Sequence, residues 1–327
     1  MVKKLEISHR TIVFTVLFLL SLWFLYFIRD ILIQIFISLV LVSIFSPFVN
    51  KLEKIKVPRA LAALLIYLIL ISAIVASLVV ITPALVLQTR DFASSLPKYF
   101  NEIKVPTLLT DSITQEFGAQ FAKLPTKVLA LGVSAFSNVL AVFYVLTISF
   151  YLLVFWNKLE KQLTSFFGEK QGKEFYDLVQ EIGSRLGSWA RGQLLLMFAV
   201  GLTTYVGLLL LGVPFALPLA VIAGILEIIP VLGPFIASIP AIAVGLSVSS
   251  VTGMAVAALA FLIQQIENSV FVPKIFERSI GLSPVITLIS LAIGSSLAGV
   301  VGAILSLPAT IIIQVLANHY VLNKLRS

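Results

Sequence analysis

Long apolar stretches without charge alternate with short polar segments along the chain. Residues 11–28, 31–50, 60–89 and 128–157 are four such stretches. Each of them reaches or approaches the roughly 20 residues that a membrane-spanning helix needs. Because a backbone in lipid must satisfy its own hydrogen bonds, as a helix does, we predict an all-α integral membrane protein.

The carboxyl-terminal half of the chain is almost free of charge. Between residues 192 and 323 the only Asp, Glu, Lys and Arg residues are Glu227, Glu267, Lys274, Glu277 and Arg278. Composition agrees with the membrane class, since 59% of the residues are hydrophobic, 12% are charged and the mean hydropathy is +1.09. A soluble chain of this length needs far more charge to cover its surface. The apolar stretches together predict about eight transmembrane helices.

Two apolar segments, residues 215–248 and 284–318, are too long for one span and too short for two full ones. The first contains Pro230, Gly233, Pro234 and Pro240, and the second contains Gly294, Gly299 and Pro308. Proline removes a helical hydrogen bond, and at 1.5 Å per residue each segment suits two half-length helices that meet at a break. We therefore expect two broken or re-entrant helical segments, with single tilted spans as the alternative.

A short internal repeat links the two interrupted segments. The sequence SIPA at residues 238–241 matches SLPA at residues 306–309. Paired segments that are interrupted by Gly and Pro point to the substrate site of a transporter. The physical reason is that a helix broken at membrane depth needs protein or a water-filled cavity to satisfy its free backbone groups.

The alternation of apolar and polar segments divides the chain into five parts. These are an amino-terminal three-span unit (1–84), an external polar segment with an amphipathic helix (85–133), a fourth span (134–157), a cytoplasmic amphipathic connecting helix (158–191) and a transport core (192–327). The amphipathic helix of the external segment is indicated by Ile113, Phe117, Phe121 and Leu124, which share one helical face.

The charge distribution predicts orientation. The net charge is +8, but Lys and Arg are spread over the segments between helices and form no basic stripe, so we expect no nucleic-acid partner. The positive-inside rule places both termini and the loop at residues 51–59 in the cytoplasm. No small-residue cleavage site follows the first apolar run, so we expect a retained first span in a multi-pass protein of the cytoplasmic membrane.

The residue inventory disfavours enzyme chemistry. The chain has no cysteine, and its two histidines, His9 and His319, lie near opposite ends of the sequence. Neither a histidine metal motif nor a Ser/His relay is available, and no nucleotide-binding glycine motif occurs. We therefore predict a protein that is not an enzyme and that uses no metal and no cofactor.

Glu227 is the first candidate binding residue, because it lies in an apolar run three residues before Pro230. Carboxylates inside membrane segments are costly and mark substrate or ion pathways. A structural role, in which Glu227 snorkels or pairs with Arg191, is the alternative.

A polar cluster supplies the other candidates for substrate or ion binding. Gln264, Glu267 and Asn268 are spaced to share one helical face, which must point into the bundle or a polar cavity. The alternative is the interfacial end of a helix held by interhelical hydrogen bonds. Gly294 and Gly299 lie in a run of small residues, which is typical of close helix contacts or of a moving element.

Several motifs of the carboxyl-terminal half resemble those of one transporter family. They are Arg191-Gly192-Gln193, Leu211 to Pro214, Glu227 to Pro234, Ile239 to Ala241, Gln264 to Asn268 with Pro273-Lys274, and Gly281 to Pro308, and Ser46-Pro47 and Pro58-Arg59 are similar near the amino terminus. This order and spacing resembles the autoinducer-2 exporter (AI-2E) family. The resemblance implies about eight spans and transport of a small solute, with export of autoinducer-2 as the name-giving activity and sodium or lithium/proton antiport in other members. Ser283 and Glu277 depart from residues that are common in the family.

The leading hypothesis is a secondary transporter in the lipid bilayer, as a homo-oligomer, with a small-molecule or ion substrate. Residues 215–248 and 284–318 then frame a solute path, with Pro230, Gly233, Pro234 and Pro240 in the first segment and Gly294, Gly299 and Pro308 in the second as breaks and hinges. A cation/proton antiporter that uses Glu227 or Glu267 is one alternative. A non-transporting scaffold or channel-like assembly is the other.

Overall fold

The computed structural model describes residues 9–102, 139–230, 232–276 and 283–322. The amino-terminal helices are α1 (His9–Phe27), α2 (Arg29–Lys54), α3 (Arg59–Glu102) and α4 (Val139–Phe155). Val42, Val49, Ala62, Ala63 and Leu153 are fully buried where α2, α3 and α4 meet. Tyr67 donates a hydrogen bond of 2.7 Å to Ser149 inside this bundle. The apolar side chains of α1 remain exposed, as expected for a helix that faces lipid.

The long helix α6 connects the two halves of the protein. A short 3₁₀ turn (Trp156–Lys158) and α5 (Leu159–Phe167) follow α4, and Gly168 with a φ of 82° turns the chain into α6 (Glu169–Leu210). The predicted connecting helix and the fifth span are therefore one uninterrupted helix of 42 residues. Its first half carries the charged residues and its second half is apolar. The helix continues without interruption through Gly192, where the polarity changes.

The first interrupted segment folds as two antiparallel helices, α7 (Ala216–Leu226) and α8 (Leu232–Val248), which we call hairpin 1. Ala216 and Leu219 at the start of α7 share a buried cluster with Ala241 and Val244 near the end of α8. Leu208 near the end of α6 belongs to the same cluster, so hairpin 1 opens at the carboxyl-terminal end of α6. A turn at Ser249 leads into α9 (Ser250–Ile266), a π-helical turn (Glu267–Phe271) and α10 (Val272–Phe276).

The second interrupted segment is α11 (Pro284–Ala317), followed by a π-helical turn (Asn318–Leu322). Ala298 and Gly299 have non-helical dihedrals, and Gly299 has a φ of 60°. Residues 284–297 and 300–317 thus form two arms, hairpin 2. A Cβ atom on either Gly294 or Gly302 would collide with the backbone carbonyl of the other, and Thr310 donates a hydrogen bond of 2.8 Å to Ser290 across the arms.

The two hairpins open at opposite ends of α6. Leu307 and Ile311 in the second arm of hairpin 2 pack against Leu186 and Trp189 of α6. Beyond them, the His319 Nε2 atom lies 3.1 Å from a carboxylate oxygen of Glu174, near the amino-terminal end of α6. Hairpin 1 opens at the other end, beside Leu208, so the two breaks point toward each other.

The repeat in the sequence occupies corresponding places in the two hairpins. Each four-residue motif begins six residues after the second arm starts, at Leu232 and at Val300. Ser238 and Ser306 both donate a hydrogen bond of 2.7 Å to the carbonyl three residues earlier. This common position supports treating the segments as structural counterparts.

The predicted all-α membrane class is confirmed. Six stretches of the described residues are long and apolar enough to cross a membrane: 29–54, 59–76, 140–167, 169–210, 250–276 and 285–321. Shorter apolar helices cover 12–27, 216–226 and 232–248. Helix α3 continues beyond Pro83 into the segment that was predicted to be external. The predicted amphipathic helix around Phe117 lies outside the described residues.

A bulky residue at Gly302 is expected to destabilise hairpin 2. Because the two arms touch backbone to backbone at Gly294 and Gly302, Gly302→Val must push them apart, at a cost of about 1–3 kcal/mol. Thermal unfolding of the purified protein in detergent should show a lower midpoint. Ser296→Val, on the exposed surface of the first arm, is the matched control. Equal midpoints for both variants would show that the arms are not in close contact.

Candidate functional site

Glu227 lies at the end of α7, where hairpin 1 breaks. The helix ends there because Pro230, three residues later, has no N–H to donate. The Glu227 side chain is fully buried, and neither carboxylate oxygen has a hydrogen-bond partner among the described residues. A buried, unpaired carboxylate is costly, so its position calls for a functional explanation.

Gln193 holds the backbone of the break in place. Its Nε2 atom donates a hydrogen bond of 2.7 Å to the carbonyl oxygen of Glu227. Gln193 is itself buried, with 4% of its surface exposed, so this bond is sheltered from water. It satisfies one of the carbonyl groups that the end of α7 leaves without a helical partner.

Glu267 supplies a second buried carboxylate to the site. It begins the π-helical turn after α9 and is 4% exposed. Gln264 lies beside it, three residues earlier in the chain, and the Glu267 Oε2 atom has no hydrogen-bond partner within the part of the chain that the structure describes. The two carboxylates lie close enough for their charges to interact.

The structure brings Gln264, Glu267 and Glu227 together but leaves Asn268 outside. Asn268 is exposed, whereas Glu267 beside it is buried. The prediction assumed α-helical spacing, in which residues four apart share a face. The π-helical turn at Glu267 hydrogen-bonds five residues apart, so positions beyond it rotate away from that face.

The alternative that Glu227 pairs with Arg191 is not observed. The Arg191 guanidinium instead donates hydrogen bonds to the Ser43 and Ile44 carbonyls, at 2.8 and 3.3 Å, and to the Ser188 hydroxyl. Among the described residues no Lys, Arg or His forms an ion pair with Glu227 or Glu267. The two buried carboxylates therefore need a proton or a bound cation to compensate their charge.

A cavity lies beside this carboxylate pair. It is a partly open space between α6, α7, α8 and α9, of about 440 Å³ when the adjoining solvent is included. Its walls are Val200, Thr204, Leu208, Ala223, Pro234, Ala237, Ser238, Ala241, Val256, Leu259, Ala260, Ile263 and Gln264. Ala223, one turn before Glu227, and Gln264, three residues before Glu267, line the cavity, so it lies beside the two carboxylates without including either in its wall.

The predicted hinge residues occupy different positions. Pro230 lies in the break of hairpin 1, Gly233 approaches the Leu226 carbonyl too closely for a side chain, and Pro234 lines the cavity. Gly299 forms the break of hairpin 2, and Gly294 lies at the contact of its arms. Pro240 and Pro308 lie inside helical arms rather than at breaks, and both are buried.

The sequence prediction missed Gln193, Thr204 and Ser238 as parts of the site. Gln193 follows Arg191-Gly192 at the start of an apolar run, and an amide at that point is a signal that it has a buried partner. Thr204 and Ser238 had no such signal, because single hydroxyl residues are common in membrane helices, where they bond to their own backbone.

Two opposed broken hairpins and a pair of buried glutamates beside a cavity are typical of a multi-pass membrane transporter. The comparisons with known proteins agree with this class. The chain matches the model of the AI-2E family transporter over residues 12–322. It belongs to the AI-2E transporter family, as the motifs of its carboxyl-terminal half indicated.

Relatives of this chain are found in distant bacteria. It is 28% identical over 312 residues to YrrI of Bacillus subtilis, with 90% of this chain and 87% of that protein covered. It is 27% identical over 306 residues to the AI-2 transport protein TqsA of Escherichia coli, with 88% and 86% covered. YueF of Bacillus subtilis is 27% identical over 313 residues, covering 89% of this chain and 84% of that protein. YrrI and YueF are named only as transport proteins.

Proposed function

We propose that this protein is a secondary transporter that moves a small polar solute across the cytoplasmic membrane, between hairpin 1 and the helices α6 and α9. The observation that carries the proposal is the buried carboxylate of Glu227, which has no partner among the described residues and lies one turn after Ala223 in the wall of the cavity. A buried charge without a partner is retained where a substrate or ion must be bound transiently.

The walls of the cavity favour a neutral solute. No Lys, Arg, Asp or Glu lines it, and its polar groups are the hydroxyls of Thr204 and Ser238 and the amide of Gln264. Hydroxyls and an amide bind alcohol and carbonyl groups, whereas a phosphate or carboxylate group needs a cationic partner. We therefore place small hydroxylated metabolites, such as autoinducer-2-like compounds, first among the substrates, with export as the direction.

A sodium or lithium/proton antiporter is the second candidate, and the carboxylate pair favours it. Two carboxylates with an amide neighbour offer the oxygen ligands that hard cations prefer. In this case the pair would bind a proton or a cation in turn. A scaffold without transport would give no reason for an unpaired carboxylate at Glu227.

We further propose that the protein is a homo-oligomer with both termini in the cytoplasm. The exposed apolar side chains of α1 and α3 form a surface that lipid or a second copy of the protein can contact. The basic residues in the last turn of α2, Lys51 and Lys54, support a cytoplasmic position for the loop at residues 51–59.

Purified protein in liposomes tests the proposal. We expect uptake of labelled neutral polyols above the rate of protein-free vesicles, and no uptake of phosphorylated analogues of the same size. Dissipation of a pH gradient by sodium or lithium, without polyol uptake, would support the antiporter instead. If the vesicles move neither polyols nor ions, the transporter assignment fails and the scaffold remains.

A further inference from the structure

Three consecutive residues of α6 contact three different elements. Arg191 reaches the carbonyl of Ser43 in α2, Gly192 lies against Phe276 of α10, and Gln193 reaches the carbonyl of Glu227 in hairpin 1. Consecutive side chains of an α-helix are rotated by about 100° around its axis, so three neighbouring residues can contact three different elements. This point of α6 is therefore where the amino-terminal bundle and the carboxylate site meet.

The bond between Arg191 and Ser43 replaces a helical bond that α2 lacks. In a regular helix the carbonyl of Ser43 accepts from the N–H of residue 47, but residue 47 is proline. The Arg191 guanidinium supplies the missing donor at 2.8 Å. Gly187, one turn earlier, allows this approach, since a Cβ atom there would collide with the Ser43 carbonyl.

Gln193 performs the same task on the other side of α6. At the end of α7 the Gln193 amide donates a hydrogen bond of 2.7 Å to the Glu227 carbonyl, and Pro230 has no N–H to compete for it. Both acceptors are thus backbone carbonyls that lie within one helical turn before a proline, Pro47 in α2 and Pro230 in hairpin 1. A buried carbonyl without a donor costs free energy, so each bond favours one docking geometry.

We infer that Arg191 and Gln193 are positioning residues, which fix the break of hairpin 1, and with it Glu227, relative to α2. The significance for transport rests on the proposed function of the carboxylate site, but the docking itself does not. In this arrangement Pro47 and Arg191 are complementary. The proline lacks the backbone N–H that would bond to the Ser43 carbonyl, and the Arg191 guanidinium donates to that carbonyl instead.

Rescue by a second substitution tests this complementarity. A reporter cysteine, Ile228→Cys, is introduced beside Glu227 into the cysteine-free chain, and its rate of maleimide labelling is measured in membranes. Arg191→Met, which keeps the length of the side chain but no donor, should raise the labelling rate about fivefold to tenfold. Pro47→Ala restores the N–H, so Pro47→Ala with Arg191→Met should label within about twofold of the Ile228→Cys parent.

Further variants separate hydrogen bonding from packing. Gln193→Met should raise labelling as Arg191→Met does, but Pro47→Ala should not rescue it. Leu194→Met, at the exposed neighbouring position, should leave labelling unchanged. If the double variant labels as fast as Arg191→Met alone, Arg191 acts through its charge or packing and the inference is wrong. If Arg191→Met does not fold, recovery of folded protein in the double variant supports the inference, and failure to recover it overturns the inference.

Transport in liposomes distinguishes the inference from the proposed function. Arg191→Met should reduce uptake and the double variant should restore it. If labelling is rescued while no variant, including the parent, transports any solute or ion, the positioning role of Arg191 is supported and the proposed function fails.

Discussion

Replacing Glu227 by Gln is expected to reduce transport about ten- to a hundredfold while the protein stays folded. Glutamine has nearly the shape of glutamate but cannot carry the charge that binds a proton, cation or polar solute. Loss of one charge-assisted interaction costs about 1.5–3 kcal/mol, and each 1.4 kcal/mol is tenfold. Since the carboxylate of Glu227 is buried and unpaired, its neutral replacement should not lower the melting temperature.

Liposome uptake and thermal unfolding, measured on the same preparation, check this expectation. Glu160→Gln, which removes an exposed acidic residue from α5, is the matched control and should transport at the rate of the unsubstituted protein. Full activity of Glu227→Gln would mean that the carboxylate is structural. A large loss of thermal stability would lead to the same conclusion, because a functional charge without partners does not stabilise the fold.

The second large effect is expected from Ala260→Phe. Ala260 lines the cavity from α9, and a phenyl ring there would fill the space between Thr204 and Ser238. Solute passage would then require the hairpin to be forced apart, at a cost of about 1–3 kcal/mol, so uptake should fall about tenfold or more.

Ala257→Phe provides the control for Ala260→Phe on the same helix. Ala257 lies three residues earlier, is exposed and is not part of the cavity wall, so the same ring is added to α9 outside the cavity lining. Uptake by this variant should remain near that of the parent. If both variants transport normally, the solute does not pass through this cavity; if both fail, the loss reflects helix packing.

The parts of the site that the sequence predicted are those set by local chemistry. Pro230 near Glu227 predicted the break of hairpin 1, because a missing N–H ends a helix wherever it occurs. The spacing of Gln264 and Glu267 predicted their contact across one helical turn. Asn268 was placed on the same face, but the π-helical turn that begins at Glu267 rotates it outward.

The parts that could not be predicted depend on contacts between distant segments. Arg191 and Ser43 are separated by 148 residues, and the sequence around either residue does not indicate that the two are in contact. The break of hairpin 2 lies at Gly299 rather than Pro308, since a φ of 60° is open to glycine at no steric cost. Pro308 costs its helix one hydrogen bond, which a buried arm packed against α6 tolerates.

We propose that the two hairpins enter the membrane from opposite sides, and labelling single cysteines from each side tests this central proposal most directly. Pro214→Cys and Ser250→Cys mark the two ends of hairpin 1, and Val285→Cys and Tyr320→Cys mark those of hairpin 2. With a membrane-impermeant maleimide, the first pair should label from the outside and the second pair from the cytoplasm. Labelling of the two ends of either hairpin from different sides would show that the segment crosses the membrane once and would contradict the account.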